Sequence, residues 1–163
     1  MERVYLRFTG AIIVTLLLAF VLSIVPIREE WVLWRPEWMA LTLIHWALYM
    51  PKKSSLILAW FVGLLVDALQ GSILGQHAFG FALVVLMTFR IRPHILVDSF
   101  SHQLFVLFIV LGTYLLVNLW ILGITGNSPA GWGYWLTVAS SIIIWPIYNY
   151  FLCLFHGKKK SFS

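Results

Sequence analysis

A chain of 163 residues that is 61% hydrophobic and only 10% charged cannot hide its apolar surface in one soluble core of that size. Most of it must be solvated by lipid, so the composition identifies an integral membrane protein. The net charge of +5 resides in short Lys/Arg clusters between apolar segments, and no basic stripe interleaved with exposed aromatics supports nucleic-acid binding.

Arg3 and Arg7 precede the first apolar segment, Phe8–Val25. The run is long and ends in Ser23-Ile24-Val25-Pro26 without a small-x-small cleavage site, so it is expected to be a retained span rather than a signal peptide. The loop Ile27–Arg35 balances Arg28 and Arg35 against Glu29 and Glu30. Segments two to four, Trp38–Met50, Ser55–Leu69 and Ala78–Phe89, fall short of the roughly 20 residues a spanning helix needs. They must be extended by their flanks, or be buried where neighbouring helices cover their ends. The polar connection Arg90–His102 follows. Leu104–Ile124 and Tyr134–Phe155 are long enough to cross unaided. Pro146, after Trp145, removes a backbone donor inside the last segment and is expected to kink it.

The charges orient these six segments. Arg3/Arg7, Lys52/Lys53, Arg90/Arg92 and Lys158–Lys160 fall at every second connection of a six-span chain, hence on one side, and account for nine of its eleven cations. The positive-inside rule then predicts one six-helix domain over residues 1–163 with both termini cytoplasmic; five spans would place the lysine tail outside. Trp31, Trp34, Trp38, Trp120, Trp132 and Trp135 all fall near the predicted outer boundary, where amphipathic rings settle.

Few residues suggest chemistry. The single cysteine, Cys153, sits in an apolar run and reads as a packing residue. None of the five histidines pairs with a histidine, cysteine or carboxylate at metal-ligand spacing, and the nearest case, His94 with Asp98, reads as a solvated pair. There is no nucleophile constellation and no phosphate-binding glycine loop. The expectation is therefore no enzyme, no cofactor and no metal. Only Asp67 and His45 are ionisable groups well inside the apolar segments.

Asp67 stands in "GLLVDALQGSILGQHAFG", Gly63–Gly80. Steps of four residues advance a helix by about 400°, so Gly63, Asp67 and Gly71 share one face. Glycines on both sides of an acid let another backbone come close, while Gly71-Ser72 and Gly75 permit a turn. The favoured reading is a packing and turn device with an internally satisfied acid. A partner-contact surface ranks second, and a ligand or proton site third, since a relay needs ionisable groups in series.

"RPEWMALTLIHWAL" (Arg35–Leu48), Pro51 with a following lysine, "WFVGLLVDALQGSILGQHAF" (Trp60–Phe79) and Trp145-Pro146 together resemble the rod shape-determining MreD family. The match extends over nearly the whole chain and is most specific at Arg35, Pro36, Trp46, Pro51, Gly63, Asp67, Gly71, Leu74 and Gly75. Lys52-Lys53 replaces the His-Arg typical after the proline, which keeps the segment basic. The resemblance implies a bacterial inner-membrane scaffold without enzymatic activity. It would bind MreC and, through it, join MreB, RodA and a penicillin-binding transpeptidase in lateral peptidoglycan synthesis and rod shape. It also implies an all-α fold like the substrate-binding S-components of energy-coupling-factor transporters. That likeness defines an alternative function, a transport component binding a small molecule or lipid. On this reading Gly63, Asp67, Gly71, Gly75 and Arg35 form the partner groove, with Arg35 and Asp67 expected to pair, directly or through water. Pro36, Trp46, Pro51, Trp145 and Pro146 are structural.

Overall fold

A computed structural model describes residues 2–51, 55–95, 100–126 and 131–155. They form α1 (Glu2–Ile24), a single turn α2 (Glu29–Val32), α3 (Trp38–Tyr49), α4 (Leu56–Gln70), α5 (Gln76–Ile95), α6 (Phe100–Ile124), a 3₁₀ turn (Trp132–Trp135) and α7 (Leu136–Phe155). The described residues contain no strand. Six of these helices coincide with the six apolar segments. By length and composition, Ser101–Ile124 and Trp132–Phe155 can each cross a membrane, whereas Thr9–Ile24, Trp38–Tyr49 and Leu56–Gln70 are shorter apolar helices.

The short α3 is the axis of the fold. Its residues Met39–Leu48 are all buried, and it packs against α1, α5 and α7. At 1.5 Å per residue its 12 residues reach about 18 Å, well under a bilayer's hydrocarbon thickness. Such a helix is tolerated at depth only when protein satisfies its ends. Here it does. Ser141 Oγ on α7 accepts from the Glu37 backbone N–H at 2.9 Å, and Arg92 Nε on α5 donates to the Leu48 carbonyl at 2.6 Å. Arg92 thus caps a helix, and the expected loop beginning at Arg90 is corrected. α5 continues through Arg90, Arg92 and Pro93 to Ile95, and α6 begins at Phe100. His94 and Asp98 lie outside the side chains described, as do Lys52, Lys53 and Lys158–Lys160.

Several other polar groups of the core are matched helix to helix. Trp46 Nε1 donates to Thr15 Oγ1 at 2.9 Å, while Thr15 itself donates to the Ala11 carbonyl, so a buried indole joins α3 to α1. Thr42 Oγ1 and the Tyr148 hydroxyl lie 2.7 Å apart, and His45 Nδ1 lies 2.7 Å from Asn149 Oδ1, joining α3 to α7. Trp145 is buried in α7 beside Ile44 and Leu48, whereas Pro146 is exposed on its outer face. Pro51 is half-buried in the turn that ends α3.

Candidate functional site

α4 presents a buried stripe, Ala59, Gly63, Val66 and Asp67, to α5. The spacing is that of one helical face. At Gly63 the contact leaves no room for a side chain: a Cβ there would lie 2.2 Å from Ala78 Cα. Gly63 is therefore filled from within the chain by α5, and the close approach it permits is intramolecular.

One turn further on, Asp67 is completely buried. Its Oδ1 accepts from Ser72 Oγ at 2.7 Å and from the His77 N–H at 3.0 Å, and lies 2.7 Å from His77 Nδ1. Its Oδ2 accepts from the Gly75 N–H at 2.9 Å and, at 3.4 Å, from that of Ala78. His77 and Ala78 stand in the first turn of α5, where backbone N–H groups have no helical acceptor and the helix dipole favours negative charge. Asp67 therefore caps the helix after its own. Its main-chain carbonyl also accepts from the Gly71 and Ser72 N–H groups and closes α4. Gly71 (φ 67°) and Gly75 (φ 101°) adopt left-handed conformations that exclude most side chains. The whole turn is built around one carboxylate, and it leaves Ile73 and Leu74 44% and 72% exposed.

The expectation of a direct Arg35–Asp67 pair is corrected. Among the described residues, the side chains bonded directly to Asp67 are Ser72 and His77, and no direct bond to Arg35 is present. The Arg35 guanidinium donates instead to the Ser23 carbonyl at 2.6 Å and to the Val25 carbonyl, holding the otherwise unpaired C-terminal end of α1. His77 reaches Asp67 by the chain turning back, a contact that spacing within one helix does not reveal.

Arg35 and Pro36 face a cavity of about 190 Å³ beside this turn, together with Glu37, Gln70, His77 and Phe81. Burial pushes the half-buried Glu37 carboxyl up to about 7, against the opposing pull of the Arg35 guanidinium. Glu37 was not singled out in the sequence, because beside Arg35 and before Trp38 it reads as an interfacial charge. Among the described residues no group of three or more His, Cys, Asp or Glu side chains is arranged to hold a metal ion.

The geometry is that of a rigid turn with a polar hollow beside it. The model of the rod shape-determining protein MreD family matches residues 3–155. The rod shape-determining protein MreD of Haemophilus influenzae (strain ATCC 51907 / DSM 11121 / KW20 / Rd) is 26% identical over 132 residues, covering 79% of this chain and 80% of that relative. No solved structure matches.

Proposed function

The chain belongs to the MreD family of rod shape-determining proteins, and from that premise we propose that it acts as a scaffold that binds MreC through the turn organised by Asp67. The family is a structural component of the bacterial rod-shape system, placed in the inner membrane, and is not a known class of enzyme. The observation that carries the proposal is the contrast at the turn. A fully buried carboxylate holds the backbone, while Ile73 and Leu74 project from it. A preorganised loop loses little conformational entropy on binding, and exposed apolar tips are what a partner covers.

In this reading the chain makes six spans with both termini cytoplasmic, and the turn lies at the periplasmic boundary with the exposed Trp31, Trp34, Trp120 and Trp132. The fold is of the S-component kind. Binding to MreC connects the protein to MreB, RodA and a penicillin-binding transpeptidase and supports lateral peptidoglycan synthesis. Gly71, Gly75 and Asp67 shape the contact, Gly63 fixes the helix pair behind it, and Arg35 fixes α1 against its rim. Co-purification of MreC tests this. Leu74→Glu should abolish capture while leaving the fold intact. Asp67→Asn, which keeps the shape but loses the charge, should weaken it. Undiminished capture by both variants would refute the proposal.

The cavity beside Arg35, Glu37, Gln70 and His77 favours one second reading, an S-component-like site for a small molecule. Native mass spectrometry of the purified protein decides it, since a stoichiometric small ligand lost in Glu37→Gln would support transport or sensing over pure scaffolding.

A further inference from the structure

A second concavity flanks the α4–α5 pair. It is an apolar groove of about 420 Å³ between α4 and α5, lined by Ile57, Trp60, Phe79, Ala82, Leu83 and Leu86 among others. It begins beside the tight Gly63–Ala78 contact and follows the antiparallel pair toward the opposite end of the fold. Phe79, Leu83, Leu86 and Arg90 succeed one another at steps of three and four residues, so they lie on one face of α5. The groove floor therefore leads directly to Arg90, whose side chain is exposed. Arg92, two residues on, is turned inward to cap α3. Lys52 and Lys53 stand just before Ser54 and Ser55, the latter the N-cap of α4, in the sequence.

We propose that this groove holds an acyl chain of one anionic phospholipid, with its phosphate on Arg90. The walls are bulky, and close docking of another helix in a membrane calls for small residues that let backbones approach. Among the described residues that line the groove, only Ala82 is small. A flexible hydrocarbon chain fills such an irregular trough, while a cation at its mouth selects a negative headgroup over a zwitterionic one. The inference rests on the membrane reading of these helices. It places the bound lipid in the leaflet opposite the Asp67 turn, and hence in the cytoplasmic one.

The test uses the full chain, reconstituted into vesicles of equal parts phosphatidylglycerol and phosphatidylcholine, extracted in detergent and weighed by native mass spectrometry. One phosphatidylglycerol per chain should survive extraction. Arg90→Gln, at an exposed position, should reduce the preference for phosphatidylglycerol over phosphatidylcholine by about fivefold, the factor one cation supplies at an anionic surface. Ala82→Trp should remove the retained lipid while helical content and MreC capture persist, which separates this site from the scaffold function. In cells, a photoreactive residue at Leu83 should yield a lipid adduct. Equal retention of the two lipids by the natural chain, or an unchanged preference in Arg90→Gln, overturns the proposal. So does a protein adduct at Leu83, which would make the groove a helix-docking face.

Discussion

Two buried polar clusters solve the same problem in opposite ways. Around Asp67 every partner comes from the next eleven residues: Ser72, Gly75, His77 and Ala78. Around α3 the partners are remote. Thr42 meets Tyr148 across 106 residues, and His45 meets Asn149 across 104. The first cluster is built on a carboxylate with several donors and shapes a local turn. The second is made of pairwise contacts and holds distant helices in register. Charge-assisted bonds are roughly twice as strong as neutral ones, and neutral contacts between helices in a membrane contribute only about 0.6 kcal/mol on average. The local cluster should therefore dominate stability even though the remote one joins more of the fold.

Substitutions can break that comparison. The largest effect is expected for Asp67→Ala, which strands several donors in a protected site and should cost about 3–5 kcal/mol of unfolding free energy in mild detergent. Next comes Gly63→Ala. Its Cβ would meet the backbone of Ala78 rather than a yielding side chain, so α4 and α5 must separate, at about 1–3 kcal/mol. Thr42→Val and Asn149→Ala should each cost only about 0.6 kcal/mol. If either of these matched Asp67→Ala, the ranking of the two clusters would be wrong.

A pH-dependent test concerns Glu37. Its carboxyl is raised in the folded protein to about 7 from an ordinary value of 4.5. Between those values the folded state binds more protons than the unfolded chain, so stability falls as pH rises from about 4.5 to about 7 and then levels off. Glu37→Gln should flatten that segment of the stability–pH curve. A slope unchanged by the substitution would assign the titration elsewhere.

The same distinction explains what could be read from the sequence. Apolar runs delimit helices directly, and Trp38–Met50 and Ser55–Leu69 lie within one residue of α3 and α4. The satisfied Asp67 and the glycine-framed turn were also legible, because their determinants are adjacent in the chain. Shared depth and opposite charge point Arg35 toward Asp67. Depth does not reveal that the open carbonyl end of α1 lies nearer. The pairings of Thr42 and His45 with α7 carry no local signal, since a threonine or asparagine in an apolar helix can equally bond its own backbone. Arg92 looked like a loop cation because its role, closing α3 at Leu48, depends on a helix 44 residues away.

Site-specific photocrosslinking in growing cells, scanned from Gly63 to Gly80, tests the central claim most directly. The account predicts that a photoreactive residue at Leu74 captures MreC and that one at Gly63, where the fold tolerates it, yields only contacts within the chain. Capture of MreC at Gly63 with none at Ile73 or Leu74 would contradict it, because the carboxylate would then order a turn that no partner touches.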